Sequence, residues 1–93
     1  MRAEWSKQKA LSNLLKHGVN FVDAAVALEN VNALTIEDFD FEEHRYKTLA
    51  LGPNLKILMI VYATPEDDVI RIISARQADR KETQQYFRGI GHE

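Results

Sequence analysis

The chain opens with two helical patterns separated by a glycine. Ser6 is a typical N-cap and Gly18 suits the position after a helix, so the spacing predicts a helix over residues 7–17. Three leucines recur at helical spacing and predict its buried stripe: Leu11, Leu14 and Leu15. Four residues at i, i+4, i+7 and i+8 predict its polar face: Lys9, Asn13, Lys16 and His17.

A second, shorter helix follows at once. Asn20 is its predicted cap, and residues 21–28 carry the apolar positions that we expect to be buried. These positions are Phe21, Ala24, Ala25 and Leu28. Because so few residues separate the two helices, they should form a tight corner.

From residue 32 the pattern becomes that of strands. Residues 34–38 are predicted to form a short strand, and its acidic residues indicate a position at the edge of the sheet. Apolar and polar positions alternate over residues 45–51 up to a Gly-Pro-Asn turn, which predicts a second strand. Residues 56–64 are apolar on both faces, as expected of a central strand. A polar turn at residues 65–68 leads to a strand over residues 69–76. Short turns between successive strands predict an antiparallel meander.

A final helix and the fold class follow from the last segment. Asp79 and Glu82 have the spacing of a capping box, which predicts a helix running to about Phe87. The chain of 93 residues is therefore predicted to be one α+β domain. It has two N-terminal helices, a twisted antiparallel sheet of three to four strands and a C-terminal helix.

Composition narrows the possible functions. The chain has no cysteine, so disulfides and thiolate zinc sites are excluded. No apolar run is long enough to cross a membrane and the first residues lack a signal-peptide core, so we interpret the protein as cytoplasmic with no membrane partner.

The formal net charge is −2, but the acids are concentrated in two places. Five lie within residues 37–43 and three within residues 66–68, which leaves six acids against twelve Lys and Arg. A fold that separates these segments from the rest can present a basic face.

His17 is the first candidate for chemistry. Near the end of a helix, a protonated imidazole interacts favourably with the helix dipole, and this structural interpretation applies equally to Lys16. The functional interpretation is proton transfer near neutral pH. His44 and His92 are weaker candidates, in an acidic loop and a terminal tail. Histidines so placed make a poor metal site, and no metal or cofactor is predicted.

The cations of the last strand are the second candidate. Arg71 lies two or four positions from Val69, Ile73 and Ala75, so a regular strand places all four side chains on one apolar face. An arginine on such a face is predicted to be paired either with a carboxylate or with a ligand. Arg76 is predicted to point with Ile70, Ile72 and Ser74. Guanidinium groups suit phosphate because they bind two oxygens at once.

The last helix adds Glu82 and Tyr86. The capping box by itself explains Glu82, and a role in proton transfer is the alternative. Tyr86 lies one turn later on the same face. Aromatic residues such as Trp5, Tyr46 and Tyr62 read either as core or as surfaces for base stacking, with core favoured.

Together these blocks resemble the BrnT family of ribonuclease toxins from type II toxin–antitoxin systems, which have a RelE-like fold. The similarity extends from Trp5 to Tyr86. It is carried by Trp5, Lys9-Ala10, Asn13, Lys16-His17-Gly18-Val19, Phe21, Ala24-Ala25, Arg45, Gly52, Arg71-Ile72-Ile73-Ser74-Ala75-Arg76, Glu82 and Tyr86.

The resemblance implies an endoribonuclease that cleaves RNA without a metal. It also implies a BrnA-like antitoxin that silences the toxin in a hetero-oligomer, which represses its operon and contacts DNA only through the antitoxin. By position, the residues implied in catalysis are His17, Arg45, Arg71, Arg76 and Glu82. Those implied in binding RNA or its phosphates are Lys9, Lys16 and Tyr86.

Two other functions stay open from the residues. The chain can be a non-catalytic subunit that binds an antitoxin and acts as a co-repressor, which the acidic balance favours slightly. Direct DNA recognition by this chain alone is a weaker hypothesis, because no helix has a dense basic face.

Overall fold

A five-stranded mixed sheet with helices on both faces forms the protein. The computed structural model describes residues 1–38 and 44–90. In chain order the elements are β1 (Arg2–Glu4), α1 (Lys7–His17), α2 (Phe21–Leu28), β2 (Leu34–Asp38), β3 (Arg45–Leu51), β4 (Ile57–Glu66), β5 (Val69–Gln77) and α3 (Arg80–Ile90). The strand order across the sheet is β1-β5-β4-β3-β2.

The predicted helix starts are confirmed. The Ser6 side chain accepts a hydrogen bond from the Lys9 backbone N–H at 3.2 Å, and Asn20 Oδ1 accepts one from Asp23 N at 2.8 Å. Gly18 ends α1 in the left-handed region, with φ of 72°, where glycine is favoured. Local capping chemistry therefore sets the bounds of α1 and the start of α2.

The predicted sheet is wrong in strand number and in being wholly antiparallel. β2, β3, β4 and β5 do pair antiparallel, and β4 is central as expected. β1 is an additional strand that pairs parallel with β5, with Arg2 opposite Val69 and Glu4 opposite Arg71. The three residues of β1 include two charged ones and show no alternation that would predict a strand. They form a strand because the outer edge of β5 offers backbone groups with which they pair.

Each face of the sheet has its own core. The α1 and α2 helices cover one face, where the buried cluster consists of Phe21, Ala24, Ala27, Ala50, Leu58, Ile60, Ile72 and Ala75. The α3 helix covers part of the other face, where Leu49, Ile57 and Tyr86 are buried together. Neighbouring residues of β4 alternate between the two clusters, which is why the sequence of this strand is apolar throughout.

The predicted orientation of α1 is wrong. Its three leucines are exposed, Leu15 to 79%, whereas Asn13, predicted on the polar face, is buried to 6% exposure. The helix therefore turns its leucines outward and rests on β5 through Asn13 and Ala10.

The reason for this orientation is a set of hydrogen bonds made by one side chain. Asn13 Oδ1 accepts from Ala75 N at 3.1 Å, and Asn13 Nδ2 donates to Ala75 O at 2.7 Å and to Val19 O at 3.0 Å. The two bonds to Ala75 continue the edge of β5 beyond the point where β1 ends. Since buried backbone polar groups need partners, the amide of Asn13 takes the place of a neighbouring strand.

The predicted faces of β5 are also wrong beyond its middle. The pairing shifts between Val61, which lies opposite Ser74, and Tyr62, which lies opposite Ile72. This β-bulge leaves Ile73 without a partner residue on β4, so the alternation resets. Ala75 consequently shares the α1–α2 face with Ile72, and not the face of Arg71 as simple alternation predicts.

Replacing Asn13 with alanine should lower the free energy of unfolding by about 2–3 kcal/mol, because Ala75 and Val19 would lose buried partners. The change is read from urea unfolding followed by circular dichroism. Ser12→Ala, at an exposed neighbouring position, is the control and should stay within about 0.5 kcal/mol of wild type. Equal effects of the two substitutions would contradict the role given to Asn13.

Candidate functional site

His17 lies at the end of α1, where two hollows meet. One is a cavity of about 290 Å³ between the α1–α2 corner and the β3–β4 turn. The other is a surface hollow of about 250 Å³ between α1 and β5, which His17 also lines. The side chain is exposed, so it can reach a molecule that occupies either hollow.

The surface hollow combines His17 with two of the predicted phosphate-binding lysines. Lys9, Lys16 and His17 line it together with Ser12, Asn13 and Ile73. The orientation of α1 explains this grouping, since Asn13 faces β5 and the lysines on the same side of the helix follow it toward the sheet edge. An imidazole beside two ammonium groups can exchange a proton next to a bound anion.

The acidic residues of the described segments are concentrated at one end of the strands. Glu37, Glu66, Asp67 and Asp68 lie at the end of the sheet where β2 stops and β4 turns into β5. His17 and Lys56 lie at the other end, beside the β3–β4 turn. The acidic residues among 39–43 lie outside the described residues, as does His92. Arg45 and Arg71 also lie at the acidic end, so the fold separates the charges only in part.

Arg45 and Arg71 form a different cationic group. Both lie opposite Ala63 of β4, one on each neighbouring strand, so they flank a small side chain on one face of the sheet. Lys47 follows Arg45 by two residues and shares that face, although no motif in the sequence marks it. Arg45 also shares this face with Leu49, and it is the face opposite the one that α1 and α2 cover.

A proton-transfer group must lie within hydrogen-bonding distance of the atom it serves. α1 carries His17 on the other face of the sheet from Arg45 and Arg71. The predicted convergence of the imidazole and these arginines in one hollow stays a prediction.

Arg76 and Glu82 are joined to each other. Arg76 Nη1 and Nη2 donate to the two oxygens of Glu82, each at 2.8 Å. Glu82 also completes the predicted capping box, because its Oε1 accepts from Asp79 N at 3.0 Å and its N–H donates to Asp79 Oδ1 at 2.8 Å. The pair ties the end of β5 to the first turn of α3.

These contacts shift both groups away from proton exchange near neutral pH. The hydrogen bonds from Arg76 lower the pKa of Glu82, against an opposing effect of burial, and the bond from Asp79 N lowers it further. The same hydrogen bonds with Glu82 raise the pKa of Arg76 above its ordinary value. A carboxylate held in this way is a weak base, so the geometry favours the capping interpretation of Glu82.

Tyr86 is buried in the core under α3. It is 2% exposed and packs with Leu49 and Ile57, which favours a structural role, and its contact with RNA stays a prediction. His44 lies at the acidic end, with its Nε2 3.0 Å from Glu37 Oε2 and its ring stacked on Tyr46.

Several residues beside His17 were not singled out by sequence reasoning. Asp23, Asn54, Lys56 and Gln77 supply the polar lining of the larger cavity. Each lies at a turn or near the end of an element, and no motif spacing connects them. In the described ranges, 1–38 and 44–90, no cluster of three His, Cys, Asp or Glu is arranged to hold a metal, and no helix is long and apolar enough to span a bilayer.

Comparison with known proteins identifies the class to which this arrangement belongs. The fold is similar to the crystal structure of the Brucella abortus ribonuclease toxin, BrnT, with a TM-score of 0.65 and 21% sequence identity. The match covers 86% of this chain and 99% of that one, and at this identity it shows the fold. No curated protein matches the chain in sequence.

The family follows from the sequence model that matches residues 5–82, described as the ribonuclease toxin, BrnT, of type II toxin–antitoxin systems. The chain belongs to the BrnT family. It is thus a member of a ribonuclease toxin family, as the sequence resemblance indicated.

Glu82→Gln should destabilise the protein at neutral pH and not at low pH. Glutamine keeps the cap acceptor but loses the charge facing Arg76. Because the folded pKa of Glu82 is lowered, the pair stabilises the protein above the unfolded pKa of about 4.3, and this contribution disappears as the pH falls through the folded pKa. With Arg76 still 40% exposed, the loss at pH 7 should be about 1–2 kcal/mol.

The measurement is urea unfolding of both proteins from pH 7 down to pH 3. The difference between them should shrink below about pH 4. Glu29→Gln, which removes an exposed carboxylate at the end of α2, is the control and should show no comparable loss at pH 7. A difference that is constant with pH would contradict the ion-pair explanation.

Proposed function

We propose that this protein is a metal-independent endoribonuclease in which His17 accepts the proton of the attacking hydroxyl group. The observation that carries the proposal is the grouping of His17 with Lys9 and Lys16 in one open hollow beside the middle of β5. Membership of a ribonuclease toxin family supports RNA as the substrate. The hollow is where a phosphate group meets both positive charge and a proton acceptor.

The reaction needs no external nucleophile, because RNA carries its own 2′-hydroxyl. The 2′ oxygen attacks phosphorus, its proton passes to the neutral imidazole of His17, and the bond from phosphorus to the 5′ oxygen breaks. The leaving oxygen takes a proton from water. Lys9 and Lys16 stabilise the negative charge that develops on the phosphate oxygens. The products are a 2′,3′-cyclic phosphate and a free 5′-hydroxyl.

Arg45 and Arg71 then serve as a second contact for the RNA backbone, away from the cleaved bond. Their position on neighbouring strands suits a phosphate, and guanidinium groups suit its paired oxygens. Arg76 and Glu82 hold α3 on the sheet in this proposal. Catalytic roles for Arg45, Arg71, Arg76 and Glu82, which the family resemblance implies, stay predictions.

The biological setting that we propose is growth inhibition in the cytoplasm. A BrnA-like antitoxin binds the toxin in a hetero-oligomer, neutralises it and represses the shared operon, with the antitoxin making the DNA contacts. Family membership in a type II toxin–antitoxin system supports an antitoxin partner. The exposed leucine stripe of α1 offers a surface for such a protein.

The same leucines favour the second candidate function, a subunit that binds an antitoxin and acts as a co-repressor without cleaving RNA. Three apolar side chains exposed at helical spacing are typical of a surface that a partner covers. A growth test separates the two functions, because only the nuclease interpretation predicts arrest when the protein is produced alone.

His17→Ala should lower kcat for RNA cleavage by about 10²–10⁴-fold, because the variant has no proton acceptor at this position. Cleavage of a labelled RNA is followed by gel electrophoresis, and the cyclic phosphate is identified by mass spectrometry. EDTA should leave the wild-type rate unchanged. Full activity in His17→Ala, or loss of activity with EDTA, would refute the proposed chemistry.

Arg45→Ala and Arg71→Ala are the comparison for the second cationic group. Both substitutions should weaken RNA binding and make it less sensitive to salt. For each phosphate that is no longer neutralised, the slope of log Kd against the logarithm of salt concentration should be smaller by about 0.7. In contrast, kcat at saturating RNA should change little. If these variants reduce kcat as His17→Ala does, the reacting phosphate lies on the β3–β5 face and the site is misplaced.

Production of the wild-type protein without an antitoxin should arrest growth, and His17→Ala should relieve the arrest at equal protein level. Colony counts after induction give the readout, with immunoblotting to confirm equal amounts. Normal growth with the wild-type protein, accompanied by no cleavage of RNA in vitro, would favour the co-repressor.

A further inference from the structure

We propose that the larger cavity beside His17 binds one nucleobase of the RNA and so selects the bond that is cleaved. This inference rests on the proposed function, since it takes His17 as the reacting site. Its observation is separate, however: His17 lines both hollows. A nucleotide whose phosphate occupies the lysine-lined hollow can therefore place its base in the neighbouring cavity.

The cavity has the size and lining that a single base requires. Its volume of about 290 Å³ lies near the lower end of the ~300–1,000 Å³ typical of small-molecule sites. Val19, Pro53 and Leu58 supply apolar lining for the faces of a ring. Proteins recognise unpaired RNA bases by combining such contacts with hydrogen bonds to the base edge.

The polar lining supplies those hydrogen bonds. Asp23 contributes a carboxylate, which only accepts, while Asn54 and Gln77 contribute amides that both donate and accept. A carboxylate in this place favours a base with an amino group at its edge, which adenine, cytosine and guanine have and uracil lacks. Lys56, also in the lining, adds positive charge beside the phosphate hollow.

The walls of the cavity are held in place before any ligand binds. Asp23 sits in the first turn of α2, where its carboxylate Oδ2 accepts from Asn20 Nδ2 at 3.3 Å. The β3–β4 turn is closed by a bond from Gly52 N to Lys56 O at 2.9 Å and one from Leu55 N to Gly52 O at 3.0 Å.

Gly52 also sets the depth of the cavity. A Cβ atom there would lie 3.0 Å from Leu58 Cδ1, and Leu58 forms part of the lining. Glycine at this position therefore lets the turn close against Leu58 without displacing it. A pre-formed pocket of this kind discriminates between bases at little conformational cost.

The test uses DNA oligonucleotides that contain a single ribonucleotide, which fixes the cleaved bond, with the base varied at the ribonucleotide and at its 3′ neighbour. The wild-type protein should prefer a base with an amino group over uracil at one of these positions by about ten- to a hundredfold in kcat/KM, as expected for a hydrogen bond to a charged group. Binding of 2′-O-methyl oligonucleotides of the same sequences, which cannot be cleaved, is measured in parallel by fluorescence anisotropy.

Two variants of the lining probe the mechanism of selection. Asp23→Asn should reduce the preference to about threefold or less, because an amide also donates and so accommodates uracil. Gln77→Ala should weaken the preference without abolishing cleavage. Asp67→Asn makes the same chemical change at the acidic end and should keep the wild-type preference. Thermal unfolding verifies that all three variants are folded.

The outcomes separate this inference from the proposed function. A wild-type protein without base preference in either assay, or a preference that Asp23→Asn and Gln77→Ala leave unchanged, overturns the base pocket. If His17→Ala cleaves normally, the proposed function fails, and the binding preference of the 2′-O-methyl oligonucleotides still decides whether the cavity reads a base. A preference that Asp23→Asn and Gln77→Ala both reduce, and that Asp67→Asn leaves unchanged, supports the base pocket.

Discussion

The hydrogen bonds between the side chain of Asn13 and the backbone of Ala75 determine how this small protein is assembled. β1 covers only the first part of the outer edge of β5, so the rest of that edge would be buried without a partner. By filling it, one amide attaches α1 to the sheet and, through Val19, holds the corner that leads to α2. The rotation of α1 follows from this contact, as does the exposure of its leucines. A polar interaction thus takes precedence over an apolar stripe, because unsatisfied backbone groups destabilise a fold more than exposed leucines do.

The same rotation creates the candidate site. With Asn13 facing β5, Lys9 and Lys16 lie beside the sheet edge and His17 lines both hollows. Two lysines and an imidazole in one hollow suit an anion despite a net charge of −2. The side chain that anchors α1 to the sheet and the residues of the candidate site therefore lie on the same short helix.

The cations of the sheet lie apart from those of the helix. Arg76 is joined to Glu82 and secures α3, so two residues that family resemblance places in catalysis also stabilise the fold. Arg45 and Arg71 lie together across Ala63, on the face opposite α1. If both groups contact RNA, the substrate extends over more than one face, which is consistent with a single-stranded and flexible ligand.

Features that depend on neighbouring residues follow from the amino-acid sequence alone. The caps at Ser6, Asn20 and Asp79, the end of α1 at Gly18 and the central position of β4 were all predictable, because capping, backbone preference and local periodicity act over a few residues. The residues that resemble the BrnT family likewise identified the family correctly.

The other features depend on contacts between segments that are distant in the chain. β1, the bulge in β5 and the burial of Asn13 and Tyr86 depend on which edge or face another segment leaves open. Residues of the candidate site were predicted in part, since His17, Lys9 and Lys16 do lie together, whereas the cavity lined by Asp23 and Gln77 was not. Contacts between segments distant in the chain have no period or spacing in the sequence, so their geometry appears only when the chain is folded.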